Sequence, residues 1–541
     1  MDAPTSNEVD VVIVGAGFSG IYLLQSLRTL GLSAVVYEAA PDVGGTWWWN
    51  RYPGARSDSD SSVYCFSDRF SKELLAEWEW KERYPSQPEI LDYLRWVTDR
   101  LDLRRDIRLN TKVASATWDG STNRWEITTD TGERASARFF VPAVGALSKP
   151  MVPGFPGLDR FKGEWYHTAR LGEEVDFAGK RVAVVGNGAT AVQIVPEVAK
   201  EAAEVWEFVR HPYHCIPGGN RPLSEADWQE IHAHHDEIWD KARHNFLGFP
   251  YPDFRGNAED FTPEERRQIM DDLWAQGGFA FGLASFADVM VNKETNDLFL
   301  DYFAEKIKGS VHDPETAGMV TPTEPFASKR PPLEHGYYDS LNRDNVHIVD
   351  IKQEPIREVT ETGVRTAERE YPVDILLLAT GFDAFTGAIV SMDIRGRDGR
   401  SLREEWAAEP RDYLGLTVHG FPNMFLAYCG PYNPAILINA PTLIEQQGEW
   451  IVDCIAHMRE QGYDYVEPTE EAQDEFLALH EQIASATLIP GTASWWTGTN
   501  VEGKANKLIS WAGGFPEYHR LCDEAAAGGY RPFIMRASSA V

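Results

Sequence analysis

Two glycine-rich segments of the chain carry residue types that can bind the phosphates of a dinucleotide. The first contains Gly15, Gly17 and Gly20, and the apolar strand that follows it ends in Glu38. In such a segment the first glycine permits a tight turn, the second lets backbone N–H groups approach a pyrophosphate, and the third allows a helix to pack closely on a strand. A carboxylate at position 38 can accept hydrogen bonds from a ribose diol, which favours FAD or NAD.

The second glycine segment has the opposite charge at its end. It begins with Gly186 and Gly188, continues into a helical stretch at Thr190 and Ala191, and is followed by a strand that ends in Arg210. A guanidinium there suits a 2'-phosphate, so this segment predicts NADPH. Glycine triplets also arise by chance in turns, but two copies in a strand–glycine–helix–strand context indicate two nucleotide sites.

The elements around these motifs predict an α/β fold with two dinucleotide-binding, Rossmann-like domains and a helical insertion. Apolar strands that end at Gly145 and Gly381 indicate that the second nucleotide unit is inserted into the first. The predicted domains are residues 1–148 with 381–541, residues 149–221 with 321–380, and a helical insertion at residues 222–320. Within the insertion, charged and aromatic periodicity predicts helices over residues 227–243, 263–276 and 296–308.

Composition excludes several classes of protein. A formal net charge of -32 over 541 residues rules out a generally basic nucleic-acid-binding surface. No apolar run is long enough for a membrane span, and the first residues lack the parts of a signal peptide. We therefore expect a cytoplasmic monomer without nucleic-acid or membrane partners. The five scattered cysteines, which contain no CxxC pair, argue against a disulfide framework and a dithiol redox centre; they are Cys65, Cys215, Cys429, Cys454 and Cys522.

A histidine-rich stretch raises the question of a metal site. His232, His234 and His235 lie beside Asp236 and Glu237, and positions 232, 235 and 236 share one face of a predicted helix. Because nothing else in the sequence supplies a closed ligand set, we interpret the stretch as a solvated helix face and predict no metal.

Residues 44–58 provide the first resemblance to a known family. Three consecutive tryptophans follow a glycine pair there, and the segment ends in Asp58. The tryptophans fit either an aromatic core cluster or a wall against a flat redox ring with Asp58 buried at its edge. The segment resembles the pattern of flavin-dependent Baeyer-Villiger monooxygenases at every defined position. This resemblance implies that the first domain binds FAD and the second NADP.

Further blocks resemble the same family over residues 8–535. A linker segment contains His167 and departs from the family signature at Leu171 and Gly172. Taken alone, this histidine fits a core position better than a functional one, but the resemblance implies that it couples the domains and influences catalysis. Residues 379–383 match one later block, and residues 494–504 are similar to another, with Glu502 where the pattern has proline. In the second of these, Trp495 is expected to reach the nicotinamide half of NADP, and a plain core tryptophan is the alternative.

The segment Lys329–Arg330–Pro331 supplies the strongest catalytic candidate. The resemblance places its arginine over the flavin, where a C4a-peroxyflavin must stay anionic to attack a carbonyl. A permanent planar cation meets that need, and Asp58 would orient it, whereas a surface salt bridge is the alternative for the pair. Lys329 joins Arg210 as a contact for the 2'-phosphate, although His211 replaces the expected Ser or Thr.

These motifs together give the predicted site. The catalytic residues are Arg330, Asp58 and His167. The cofactor-binding residues are Gly15, Gly17, Gly20, Glu38, Gly45, Thr46, Trp47, Trp49, Asp58, Tyr64, Val113, Gly186, Gly188, Thr190, Ala191, Gln193, Arg210, Lys329 and Trp495.

The resemblance implies an FAD- and NADPH-dependent enzyme that inserts one oxygen atom of O2 next to a ketone carbonyl, giving an ester or lactone. A flavin-containing monooxygenase that oxidises nitrogen or sulfur would share the fold and cofactors and remains the alternative. Its linker signature ends in Tyr or Phe where Leu171 stands, so the linker alone does not decide between the two families. A pyridine nucleotide-disulfide reductase is disfavoured, because the sequence lacks a cysteine pair. A non-catalytic nucleotide-sensing module is a further alternative, and it would show no oxygen-dependent consumption of NADPH with any substrate. The sequence does not identify the ketone, but residues 430–442 are expected to line its pocket.

Overall fold

The structure, a computed structural model, describes residues 7–172, 174–492, 494–501, 503–504 and 506–537. Its strands are β1 (Asn7–Val14), β2 (Ala34–Tyr37), β3 (Ile107–Arg108), β4 (Val113–Asp119), β5 (Arg124–Thr129), β6 (Arg134–Pro142), β7 (Glu164–His167), β8 (Arg181–Val185), β9 (Glu204–Val209), β10 (Ile216–Pro217), β11 (Leu333–Glu334), β12 (Val346–Asp350), β13 (Ile356–Val359), β14 (Gly363–Thr366), β15 (Glu370–Pro372), β16 (Ile375–Leu378), β17 (Asp393–Arg395), β18 (Tyr465–Pro468) and β19 (Phe533–Arg536).

The α-helices, several of them a single turn, alternate with the strands of two nucleotide-binding units. They are α1 (Phe18–Thr29), α2 (Thr46–Trp49), α3 (Asp68–Glu77), α4 (Gln87–Arg100), α5 (Ala189–Val198), α6 (Glu225–Ala233), α7 (His235–His244), α8 (Pro263–Gln276), α9 (Ala280–Leu283), α10 (Lys293–Ser310), α11 (Pro314–Val320), α12 (Tyr337–Ser340), α13 (Thr386–Ile389), α14 (Leu402–Glu405), α15 (Ala440–Gln461), α16 (Glu470–Ser485) and α17 (Phe515–Ala527).

The first sheet contains the N-terminal glycine motif. Its strand order is β17-β4-β5-β6-β1-β2-β3, and β1 pairs in parallel with both β2 and β6. Val11, Val12 and Ile13 are fully buried, because helices and strands cover both faces of a parallel central strand. The predicted βαβ unit is confirmed, with α1 as the crossover between β1 and β2.

The second sheet is parallel throughout, in the order β12-β9-β8-β16-β7. Helix α5 follows β8 directly after the second glycine motif and leads to β9, as the sequence predicted. The apolar strand before Gly381 is β16 and lies inside this second sheet. Beyond it, β17 pairs with β4, so the chain after Gly381 contributes to the first sheet.

The segment between β10 and β11 is helical. Within the described residues it contains α6 to α11 and no strand, and α8 has the predicted bounds. The predicted helix over residues 227–243 is wrong in one respect. It is two helices, because the backbone of His234 leaves the helical region with φ of -116° and ψ of 19°.

Two findings concern predictions made from composition. All five cysteines are free and buried, which confirms that they form no disulfide or dithiol pair. In the part of the chain that the structure describes, no helix has the length and apolar character needed to cross a lipid bilayer.

Candidate active site

The first glycine motif forms a close-packed cradle at the beginning of α1. Gly15 has φ of +108°, and a Cβ atom there would lie 2.6 Å from the carbonyl oxygen of Ala143. Gly17 faces Gly45 across the loop, and a Cβ on Gly45 would lie 2.9 Å from the Gly17 Cα. Because these glycines have no side chain, nothing covers the backbone N–H groups at the helix N-terminus, and a phosphate can approach them.

Glu38 closes the same unit at the end of β2. It is buried, and its two carboxylate oxygens accept hydrogen bonds from the backbone N–H groups of Ala16 and Ala40, both at 2.7 Å. Burial raises the pKa of this carboxyl, and the backbone hydrogen bonds oppose that rise. Each oxygen keeps acceptor capacity beyond its one hydrogen bond, so the carboxylate is oriented and can still bind a ribose diol.

The three tryptophans do not form one wall. They occupy the single-turn helix α2, which begins at the exposed Thr46, and they point in different directions. Trp47 is buried and donates its indole N–H to the Tyr64 hydroxyl at 3.2 Å, whereas the guanidinium of Arg170 lies 3.9 Å from the Trp49 ring. The three side chains therefore do not share one face, because successive residues of a helical turn diverge by about 100°. A contact of Trp47 or Trp49 with the cofactor stays a prediction.

The second glycine motif repeats the first, with a polar network beneath it. Gly186 has φ of +117°, and a Cβ there would lie 2.3 Å from the carbonyl oxygen of Ala379. The intervening Asn187 donates its side-chain N–H to Glu207 at 2.7 Å and to the Tyr337 hydroxyl at 2.6 Å. Tyr337 in turn donates to the other oxygen of Glu207 at 2.9 Å.

This network was missed at the sequence level because its members come from β9, the glycine loop and α12. Glu207 is completely buried, and burial raises its pKa to about 7 against the hydrogen bonds from Asn187 and Tyr337. An isolated glutamate within a strand gives no sequence signal for such a position.

Arg210 and Lys329 have different surroundings. Arg210 is exposed at the end of β9. Lys329 is buried and pairs with Glu324, which also lies 3.3 Å from His211. Burial by itself would raise the pKa of Glu324, but the pairing with His211 and with the Lys329 ammonium outweighs burial and lowers that pKa to about 2. No sequence motif marks this carboxylate.

The structure brings Asp58 and Arg330 together, as predicted. Two parallel hydrogen bonds join them, from the arginine Nε to Oδ2 at 2.7 Å and from Nη2 to Oδ1 at 3.0 Å. The remaining Nη1 donates to the backbone carbonyl of Ile436 at 3.0 Å, and the guanidinium stands 4.7 Å from the ring centre of Phe279. Burial would lower the pKa of Arg330, but the charge and hydrogen bonds of Asp58 outweigh burial and raise it.

The surroundings of this pair correct one detail of the prediction and add two groups. The Asp58 side chain is 31% exposed, so it is half-buried. Tyr64 and Tyr428 interact electrostatically with both charges. Burial raises the pKa of Tyr428 to about 12, so at neutral pH its hydroxyl is a neutral hydrogen-bond donor.

An apolar cavity of about 60 Å³ adjoins the Arg330 guanidinium. From the predicted lining segment 430–442, Ile436 and Leu437 contribute to its wall. The aromatic residues that line it are Phe246, Phe249, Phe254, Phe279, Phe326 and Trp496. A permanent cation at the edge of an otherwise apolar cavity can stabilise negative charge that develops on a bound apolar molecule.

His167 joins the linker to the strand that precedes Gly381. It is 3% exposed; its Nδ1 accepts from the backbone N–H of Ala169 at 3.2 Å, and its Nε2 lies 2.9 Å from the Gly381 carbonyl oxygen. This pattern assigns the proton to Nε2. Burial lowers the pKa of the imidazole, and the hydrogen bond to Gly381 opposes this, so the ring is neutral. Leu171 is buried in the core of the second unit together with Tyr52.

The remaining predicted cofactor residues occupy several environments. Thr190 and Ala191 lie in the first turn of α5, and Val113 begins β4 as a buried residue. Gln193 accepts a hydrogen bond from the Tyr52 hydroxyl at 2.9 Å and donates to the backbone of Arg56, so both ends of its amide have protein partners. Its contact with a cofactor stays a prediction.

The C-terminal tryptophan pair is divided between two environments. Trp495 is half-buried, and its indole N–H makes no hydrogen bond within the described residues. Its neighbour Trp496 is fully buried and lines the cavity beside Arg330. Of the two, therefore, the residue that the sequence did not single out reaches the cavity.

The two glycine motifs and the charged residues that follow them fit the binding of FAD and NADPH. Glycines leave the backbone approachable at both helix N-termini, and the carboxylate of Glu38 follows the first cradle. The second cradle is followed by the exposed cation Arg210, with Lys329 nearby, which matches a 2'-phosphate. The bidentate pair joins Asp58, which follows α2, to Arg330, which precedes β11.

Comparison with known proteins gives a consistent result. The family model described as FMO-like, flavin-binding monooxygenase-like, matches residues 8–212. The chain is 40% identical to the acetone monooxygenase (methyl acetate-forming) of Gordonia sp. strain TY-5, over 98% of this chain and 100% of that protein. It is 41% identical to a Baeyer-Villiger monooxygenase of Pseudooceanicola batsensis, over 97% of this chain and 96% of that protein. It is 39% identical to the phenazine N-monooxygenase PhzNO1 of Lysobacter antibioticus, over 98% and 97%.

Solved structures agree with the fold. The crystal structure of cyclohexanone monooxygenase from Rhodococcus sp. Phi1 bound to NADP+ has a TM-score of 0.96 and 40% identity, covering 99% of this chain and 100% of that one. The structure of OTEMO in complex with FAD and NADP has a TM-score of 0.94 and 38% identity, covering 98% and 100%.

Proposed function

The chain belongs to the flavin-dependent Baeyer-Villiger monooxygenase family, and on that premise we propose that Arg330 and Asp58 promote the insertion of one oxygen atom of O2 next to the carbonyl of a ketone. The product is an ester or lactone. FAD and NADPH are the cofactors, and the bidentate ion pair of Arg330 with Asp58 beside an apolar cavity is the observation that carries the proposal.

The cofactors, when bound, supply the hydride and the activation of oxygen, which no side chain can provide. The chain's own residues then have three tasks. The cradles at Gly17 and Gly188 bind the two pyrophosphates, Glu38 binds the ribose of FAD, and Arg210 with Lys329 binds the 2'-phosphate of NADPH. Held in this way, the two cofactors would be fixed at defined positions before the reaction.

Arg330 stabilises the negative charge that develops as oxygen attacks the carbonyl carbon. Its guanidinium cannot lose its proton, because the charge of Asp58 raises a pKa that is already high. Two hydrogen bonds to the carboxylate and one to the Ile436 carbonyl hold the guanidinium plane in place. Because these groups are ordered before the reaction, little reorganisation accompanies the appearance of charge.

The cavity determines the class of substrate. Its lining is aromatic and aliphatic apart from Arg330, so it favours an apolar ketone whose carbonyl oxygen turns toward the guanidinium. The same lining excludes water, which strengthens the electrostatic effect of the cation. Trp496 and Leu437 lie on this wall and are therefore expected to influence which ketones fit.

His167 acts as a positioning residue. As a neutral donor to the Gly381 carbonyl it ties the end of β7 to the backbone that follows β16. The same carbonyl also accepts from the backbone N–H of Met151 at 3.0 Å, so the imidazole is a second donor at this turn, where Gly381 has φ of +77°. Replacement of His167 is expected to disturb the turn at which the chain leaves β16 rather than to remove a reacting group.

The test compares Arg330→Ala and Arg330→Lys with the native enzyme under labelled oxygen gas. Both variants should retain FAD and consume NADPH, but release hydrogen peroxide, and the rate of ketone oxygenation should fall by roughly a hundred- to a thousandfold in the alanine variant, as for loss of an oxyanion donor. The lysine variant separates charge from geometry, because it keeps the cation and loses the bidentate pair. Native ester or lactone yield from Arg330→Ala would remove this residue from the reaction.

A second candidate function is oxidation at nitrogen, favoured by the likeness to the phenazine N-monooxygenase. A panel of cyclic, linear and aryl ketones, thioethers and aromatic amines, analysed by mass spectrometry, separates the two. Incorporation of one labelled oxygen atom beside a carbonyl establishes the first function. Products oxidised only at nitrogen or sulfur across the panel would establish the second. The domain bounds, a monomeric state and a cytoplasmic location stay predictions.

A further inference from the structure

A cluster of three potential metal ligands lies where α3 and α7 begin, and none of its residues belongs to the predicted catalytic or cofactor-binding set. Asp68 is the first residue of α3, and His235 and Asp236 are the first two residues of α7. One ligand atom from each of the three lies within 4.8 Å of the other two. The sequence alone suggested His232 instead of Asp68, but the break at His234 places His232 on a separate helix, where its ring packs against Trp228.

His235 is buried, although the sequence predicted a solvated helix face at this position. It is 6% exposed, and within the described part of the chain neither of its ring nitrogens has a hydrogen-bond partner. An imidazole buried in this way loses its hydrogen bonds to water without replacement, which is unfavourable and rare in native proteins. A ligand bound to one of the ring nitrogens would replace the lost hydrogen bond and so remove this energetic cost.

The carboxylates of Asp68 and Asp236 are available to bind the same ligand as His235. Neither Asp68 nor Asp236 takes part in a side-chain hydrogen bond with another residue in the described ranges. The guanidinium of Arg243 lies 3.9 Å from Asp68, beyond hydrogen-bond distance, and donates to Ser67 instead. It offsets part of the negative charge and leaves the carboxylate oxygens without a bonded donor.

We propose that Asp68, His235 and Asp236 bind a divalent metal ion of the zinc class, with water in the remaining positions. One imidazole and two carboxylates suit Zn²⁺, whereas Mg²⁺ and Ca²⁺ prefer oxygen ligands throughout. Asp68 follows Asp58 closely in the chain, within the first nucleotide unit, whereas His235 belongs to the helical segment between β10 and β11. The ion would therefore fasten this helical segment to the first nucleotide unit.

The helix positions offer a competing explanation for the acids, which the experiment must separate. Acidic residues in a first turn stabilise a helix through its dipole, without a metal. In that case Asp68→Asn and Asp236→Asn would lower the melting temperature equally with and without zinc. Metal binding instead predicts that zinc raises the melting temperature of the native enzyme and not of the variants.

The test uses the FAD-loaded full-length enzyme after treatment with a chelator, titrated with Zn²⁺ by calorimetry. We expect one site, with affinity at least tenfold weaker in His235→Gln and in Asp236→Asn. Asp236 is exposed, so its variant folds even if the buried histidine cannot be replaced. A crystal soaked with zinc should show anomalous density between the three side chains.

His234→Gln is the matched control. This histidine is 47% exposed and lies near Glu230 and Glu237, at 3.5 Å and 3.6 Å, so it represents an ordinary surface site on the same segment. The proposal requires unchanged zinc affinity in this variant. Loss of binding in His234→Gln with retention in His235→Gln and Asp236→Asn, or no saturable zinc binding to the native enzyme, would overturn it.

Discussion

Replacing the buried Glu207 by glutamine should change how the stability of the enzyme depends on pH. Burial raises the pKa of this carboxyl from an ordinary value of 4.5 to about 7. Between these two values the folded protein holds a proton that the unfolded chain releases, so the free energy of unfolding falls as the pH rises. Glutamine retains an acceptor for Asn187 and a polar group toward Tyr337, but it cannot ionise.

The magnitude follows from the same two pKa values. The rise from 4.5 to about 7 corresponds to about 3 kcal/mol, since each tenfold change in the proton equilibrium is about 1.4 kcal/mol. Relative to the native enzyme, Glu207→Gln should therefore gain up to about 3 kcal/mol between pH 4.5 and pH 8. For a cooperative unit of 150 to 250 residues this equals roughly 6 to 12 °C in melting temperature.

The assay is thermal unfolding of the FAD-loaded native and variant enzymes at four pH values from 5 to 8. Asp412 and Glu445, whose pKa values burial also raises to about 7, titrate in both proteins and cancel in the difference. Glu201→Gln, at an exposed position shortly before β9, is the matched control and should show no change with pH. A melting-temperature difference for Glu207→Gln that stays constant from pH 5 to pH 8 would refute the argument.

Three further predictions concern the cofactors. Gly45→Ala should lose FAD, measured by the ratio of flavin to protein absorbance, because the added Cβ would lie 2.9 Å from the facing glycine backbone; Gly154→Ala, with no atom within 4 Å, should retain it. Arg210→Ala should raise the KM for NADPH by roughly ten- to a hundredfold while leaving that for NADH unchanged, and equal coenzyme preference before and after would contradict the assignment. Glu324→Gln should lower the KM for NADPH by roughly three- to tenfold, because Lys329 loses its internal counter-ion; a raised KM would show that the pair positions Lys329 instead.

Much of the fold could be predicted from local sequence. The apolar runs before Gly15 and Gly186 became central strands, and the helices after them began at the glycine motifs. These features depend on residues close in the chain: a buried strand needs a continuous apolar run, and a tight turn with positive φ needs glycine. Helix α8 has its predicted bounds, because Thr262 and Pro263 mark its beginning and Gly277 its end.

Part of the site was also predictable, for a different reason. Asp58 and Arg330 are 272 residues apart, and no periodicity links them. Only their motifs indicated that they meet, and the bidentate pair confirms it. The exposure of Asp58 and the hydrogen bond from Arg330 to the Ile436 carbonyl needed the tertiary structure.

Only the tertiary structure determines the contacts between distant segments that carry no sequence motif. Glu207 reaches Asn187 and Tyr337, Glu324 reaches Lys329, and Asp68 approaches His235, in each case from a different part of the chain. A charged residue in a strand or helix has the same local pattern whether it faces water or a buried partner. The free energy that separates these outcomes comes from burial and pairing across the fold, and neither is encoded in the spacing of neighbouring residues.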